Sequence, residues 1–275
     1  ADSMALAATL ALDTGDVDTA AARLDALAQF AHEARDAGAT LLADLGQQTL
    51  AELGPVPAAQ AVAAWRRLHA EATRLNRPAL GASAAGHLGR VLVAGGDFAG
   101  AGDLADKLAD HGERTESPEL EMIAHALRAA VLHAAHDREG AQQFAVEALS
   151  PLRALECRDS MVPALVAPVL ADMGPESEWV AWLRGWLQAG GLRPCPPLPS
   201  EALRLALLAC LGEAVPGASR AREALVAAGG PVTPSRARVQ KLAARALRRA
   251  GLEGEANAAT RGVDAALVAN GWRAD

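Results

Sequence analysis

The chain reads as an all-α array of stacked helical hairpins. Three observations predict it. The first is a period: a glycine or its stand-in, followed five residues later by a small or marking residue, recurs at Gly15/Ala20, Gly54/Ala59, Gly96/Ala101, His136/Ala141, Gly174/Trp179, Gly212/Gly217 and Gly251/Ala256, with gaps of 39, 42, 40, 38, 38 and 39 residues. Repeats of about 40 residues with a helix on each side of a turn are the mark of an α-solenoid, where each hairpin buries its apolar face only against its neighbours. The second is composition: 51% of the 275 residues are hydrophobic but only 3% aromatic, with no tyrosine. Small and aliphatic residues must therefore fill the core. The third is the preponderance of alanine, which loses no side-chain entropy in a helix and lets helices approach closely, over β-branched residues too scattered for a sheet.

Seven units tile the chain as one elongated domain, approximately 1–39, 40–81, 82–121, 122–159, 160–197, 198–236 and 237–275. Since such an array grows in one direction, distant units are expected not to share an interior. Unit one has a first helix over Met4–Leu12, a polar turn over Asp13–Asp18 and a second helix from Thr19 to Glu33. Asp16 and Asp18 sit where a carboxylate caps free backbone N–H groups and complements the helix dipole. Unit two repeats the turn at Gly54. In unit three Leu88, Gly89 and Leu92 precede the turn Ala94–Ala101, and Leu104 and Leu108 continue an apolar stripe. Unit four runs Leu127, Leu132, the turn from His136, then Ala141, Phe144 and Ala148 to Pro151.

Unit five contains Trp179, Trp182 and Trp186 at i, i+3 and i+7 on one helix stripe, a candidate hydrophobic docking patch, with packing on unit six as the alternative. Four prolines and two glycines between Gln188 and Ser200 require a connector before unit six. A second connector, Ala228–Ser235, precedes unit seven, whose helix Thr233 or Ser235 would cap. The basic run Arg236–Arg249 lacks interleaved aromatics, and Lys241, Arg245, Arg248 and Arg249 are expected on a solvated face.

The turn and packing residues resemble the tetratricopeptide repeat, with Leu88, Gly89, Gly96, Phe98, Ala101 and Leu108 matching most closely. The resemblance implies a right-handed superhelix of about seven stacked helix-turn-helix units. The period exceeds that family's 34 residues, so longer helices or loops are expected. The longer period and the composition are similar to the sensor or activation segments of MalT-like bacterial transcription regulators, which makes a fragment of a larger protein the expectation. In that family the first helices line the concave face. Its exposed positions map here to Asp2, Thr9, Asp13, Asp44, Gln48 and Glu52 in units one and two, to Ser83, His87, Arg90 and His133 in units three and four, and to Arg238, Lys241, Arg245, Arg248 and Arg249 in unit seven. Asp44, Gln48, His87, Arg90 and His133 are the expected groove residues for a polar effector or an extended peptide. For His133 a plain inter-helix role competes with that reading.

A net charge of −7 argues against non-specific binding to nucleic acid or to an anionic membrane. Cys157, Cys195 and Cys210 form no CxxC pair and read as reduced, buried small residues, in keeping with a cytoplasmic protein. No apolar run is long enough to span a membrane. The chain contains no GxxxxGK[ST], HExxH or GxSxG motif, so neither catalytic residues, nor a cofactor, nor a metal site are expected. The functional expectation is a non-catalytic binding domain of a bacterial transcription regulator that holds a small-molecule effector or peptide. A general protein-interaction scaffold and an enzyme with a site assembled across repeats are the alternatives.

Overall fold

The computed structural model describes residues 2–14, 16–52, 54–154, 161–174, 176–191, 200–212, 214–230 and 232–274. Among these, every regular element is an α-helix and there is no strand. The helices fall in consecutive pairs that follow the seven units: α1 (Asp2–Thr14) with α2 (Val17–Ala34), α3 (Ala37–Ala51) with α4 (Ala58–Arg74), α5 (Pro78–Gly95) with α6 (Phe98–Thr115), and α7 (Pro118–Ala134) with α8 (Arg138–Ala154). Then come α9 (Met161–Met173) with α10 (Glu178–Gln188), α11 (Ser200–Leu211) with α12 (Ala214–Ala227), and α13 (Pro234–Arg249) with the shorter α14 (Glu253–Thr260) and α15 (Val263–Ala269). Helices of up to 18 residues account for the long period. The first helices of successive pairs also pack on one another, α5 on α7, α7 on α9, α9 on α11 and α11 on α13, so the pairs form a stack.

Local chemistry sets the boundaries. Asp16, Asp97 and Asp137 each precede a second helix and accept a hydrogen bond from the backbone N–H three residues on, at 2.9 to 3.0 Å. Thr233 does the same for α13, accepting from Arg236 N at 3.3 Å. Before α6 the chain turns through the left-handed region at Gly96, φ 79°, and before α8 His136 takes the same place at φ 63°. A side chain there is strained, so His136 is an exception to the glycine rule at that turn.

The fourth residue of the second helix is the repeat's packing point. Ala20, Ala101, Ala141 and Ala256 are fully buried there, as their spacing predicts, and Gly217 lies so close to Ala209 that a Cβ would come within 2.8 Å of its carbonyl oxygen. Two marks are displaced. In unit two the buried residue is Ala61, and Ala59 is exposed, because Pro55 and Pro57 delay the start of α4. In unit five the side chain that goes inward is Val180, next to Trp179. Gly89 meets the Leu127 side chain where α5 crosses α7, and a Cβ would lie 2.5 Å from it.

Cys210 is buried, and that burial pushes its thiol up to about 11; Cys157, Cys195 and the proline-rich stretch 192–199 lie outside the described residues, as does Gly15.

One expectation fails. Distant units share an interior: unit seven folds back onto units two and three, while Leu27 and Ala31 of unit one belong to a separate cluster. Asn270 O accepts from Ala58 N at 2.9 Å, Arg273 N donates to Ala94 O at 3.0 Å, and the buried Trp272 donates its indole N–H to Val56 O at 2.9 Å. Leu41, Trp65, Leu242 and Trp272 all belong to a single apolar cluster. The stack curves enough over its length for the last turn of chain to reach the α3–α4 connection and the end of α5, a curvature that repeat spacing alone does not encode.

Candidate functional site

Two polar clusters lie where unit seven meets the earlier units. The first is sealed. Glu52, at the end of α3, and Arg90, on α5, are both buried and form an ion pair. Glu52 also accepts from the Trp65 indole N–H, and Arg90 donates to Ser235 Oγ on α13 at 3.2 Å. The His87 ring stacks on Trp65 with centroids 4.3 Å apart and planes 7° apart. Burial, and then the adjacent Arg90 cation, bring the His87 imidazole down to about 3, against the opposing pull of Glu52. Burial alone would raise the Glu52 carboxyl, but Arg90 leads the groups that hold it below its ordinary value.

The second cluster is open. A cavity of about 470 Å3 lies among α5, α7, α9, α13 and α15, within the size range of small-molecule sites. Val93, Phe98, Leu165, Val169, Leu242 and Leu267 supply apolar wall. Arg238, Lys241 and Arg245 line it from α13 at i, i+3 and i+7, which places them on one helical stripe. Arg138, at the start of α8, and Arg273, in the returning tail, also line it, with His133 and His136 at the end of α7. Among the described lining residues Asp172 of α9 is the one carboxylate. It accepts from His133 Nε2 at 3.0 Å and pairs with Arg245. A carboxylate can only accept, so His133 carries its proton on Nε2.

The cations crowd one another. Burial lowers the His133 pKa, and Arg245, His136 and Arg138 add to the shift. Burial likewise lowers the Arg245 pKa, followed by the charges of Arg249 and Arg138. Lys241 meets Asp264 at 3.0 Å and the Ala274 carbonyl oxygen, and the Arg273 guanidinium stands 4.6 Å over the Phe98 ring. Lys241 and Arg273 thereby fasten the chain's returning tail at the rim of the cavity.

Of the expected groove residues, His133 lines this cavity and bridges to α9 at once. His87 and Arg90 meet each other in the sealed cluster. Asp44 pairs with Arg67 of α4 at 3.1 Å, and Gln48 Nε2 is buried without a hydrogen-bond partner among the described residues. These five do not converge. The tryptophan stripe is half-buried against the main core, Trp179 edge-on to Trp182 and capped by Arg153 at 5.2 Å.

The solvated-face expectation for the basic run holds for Arg248 and Arg249, which are exposed, and fails for Lys241 and Arg245, which line the cavity. Sequence reasoning also passed over Asp172, Arg138 and Arg273. Asp172 had a legible signal: it is the single charged residue of the otherwise apolar α9. The two arginines had none, because their place depends on the closure. Among the described residues no group of His, Cys, Asp and Glu is placed to hold a metal ion, and no helix is long and apolar enough to cross a membrane. No protein-family model matches the chain, and no curated protein matches it.

Proposed function

We propose that this chain is a non-catalytic binding domain that holds a small-molecule effector in the cavity between α7, α9 and α13. The observation that carries the reading is that cavity itself: about 470 Å3, apolar-walled, with a few convergent polar groups, formed where the last unit closes on the middle of the array. An effector there touches helices from units three, four, five and seven together, so binding would tighten the closure and transmit occupancy along the stack. The role of a cytoplasmic sensor segment in a bacterial transcription regulator, with the right-handed superhelix of that repeat type, rests on the repeat resemblance. Docking of a protein through Trp179, Trp182 and Trp186 draws less support, because these rings pack on the core.

The test is a thermal-shift screen of neutral, cationic and anionic metabolites against the wild type and Ala134→Trp, whose indole would occupy the cavity from the end of α7. A ligand at a hundredfold over its dissociation constant adds about 2.7 kcal/mol of stability. Hits abolished by Ala134→Trp, in a variant that melts like the wild type without ligand, support the reading. Hits indifferent to it remove the site.

A further inference from the structure

We infer that the ligand of this cavity is an organic anion, an apolar body bearing a phosphate or carboxylate group that the α13 stripe and Arg138 receive. The inference rests on the binding reading above and specifies its chemistry. Five Arg or Lys side chains and two histidines line the cavity, where Asp172 is the one carboxylate among the described lining residues; Lys241 is paired beyond the wall with Asp264. The whole chain carries a net charge of −7, so this concentration of positive charge runs against its overall balance.

The charge is also held at close quarters. Asp172 is already shared between His133 and Arg245, and Arg138 forms no hydrogen bond or ion pair with any described residue. Cations gathered around a partly water-excluded space repel one another, and an anion placed among them removes that repulsion and gains charge-assisted hydrogen bonds. Guanidinium groups suit oxyanions because their N–H donors match two oxygens in one plane. The apolar wall of Val93, Phe98, Leu165, Val169, Leu242 and Leu267 gives a free inorganic ion nothing to bury, and it favours a ligand with a hydrocarbon or aromatic body. Such a ligand would compete with Asp172 for Arg245 and leave the Asp172–His133 contact in place.

Titration calorimetry of the full chain with 1-naphthyl phosphate, 1-naphthoate and 1-naphthol tests this directly. The aromatic body is constant and only the head group changes. The expected result is that one or both anions bind about tenfold or more tighter than the alcohol, and that Arg138→Gln and Arg245→Gln each remove most of that preference by weakening the anions far more than naphthol. The exposed Arg138 keeps the test independent of folding, since its replacement breaks no internal contact.

A preference for phosphate over carboxylate, or the reverse, identifies the head group. Equal binding of all three compounds, a preference that survives both arginine variants, or no binding of either anion overturns the inference. Neutral ligands that bind at least as tightly as the anions and are blocked by Ala134→Trp would leave the cavity reading standing while ending the anion inference. Anion binding that ignores Ala134→Trp would end both.

Discussion

Unit seven touches the earlier units through two polar clusters built on opposite principles. Around Arg90 the opposite charges are matched: Glu52 answers the guanidinium, Trp65 and Ser235 add hydrogen bonds, His87 is held neutral, and of the guanidinium nitrogens Nε is left without a partner among the described residues. Around Arg245 positive charge outnumbers negative, and the space between the groups is open. The first arrangement fastens the array and leaves no room for a guest. The second crowds cations, which add to burial in lowering the pKa values of His133 and Arg245, around a volume that can take a guest. Two sites of similar polarity thus differ in what they can do, and the difference lies in charge balance and free space.

That contrast predicts very unequal responses to substitution. The largest effect belongs to Arg90→Met, which leaves the Glu52 carboxylate buried without its cation; urea denaturation should show a loss of about 3 to 5 kcal/mol. A loss under 1 kcal/mol would mean that the cluster is hydrated and no fastener. Next is Trp272→Ala, which empties a buried site between the tail and units two and three. It should cost about 3 kcal/mol and weaken any cavity ligand, since Arg273 loses its support. Unchanged stability would indicate that the tail does not dock.

The sealed cluster should also respond to pH. His87 is neutral in the folded state down to about 3, whereas the unfolded chain takes up that proton below about 6.5. Stability is therefore complete above pH 6.5 and declines as the pH falls from there toward 3, by up to about 1.4 kcal/mol per pH unit. The lowered Glu52 and His133 pKa values act with the same sign, Glu52 below about 4.5 and His133 below about 6.5. Replacing His87 by Gln should flatten most of the slope between pH 6.5 and 4.5, and a slope that persists unaltered contradicts the assignment.

The smallest effect is expected at the open cluster. Arg245→Gln breaks a partly exposed pair and should change stability without ligand by less than about 1 kcal/mol. A cost as large as that of Arg90→Met would make Arg245 a second fastener and erase the distinction between the two clusters.

The repeat was legible because it is local. The Asp caps, Gly96 and the alanines at the fourth position of the second helices depend on neighbours within one unit, so their spacing survives in the sequence. The slip at unit two had a visible cause in Pro55 and Pro57. The cavity was half legible: Arg238, Lys241 and Arg245 stand in the concave series, and His133 was singled out. Their meeting was not legible. It requires α13 to lie beside α7 and α9, a consequence of small rotations accumulated over several units, and no single residue pair encodes that sum. Arg90 shows the same limit, since a concave position that faces solvent in an open array faces Ser235 once the array closes.

Closure is the claim on which both clusters depend, and a cross-link measures it directly. A Cβ at Gly271, whose φ of 73° costs a side chain about 1 to 2 kcal/mol, would lie 3.8 Å from that of Ala58, the mean separation across a disulfide. Ala58→Cys combined with Gly271→Cys, oxidised at low protein concentration and mapped by mass spectrometry, should give an intramolecular 58–271 disulfide in most molecules. A folded monomer in which both thiols stay free after oxidation would contradict the closed array and, with it, the cavity.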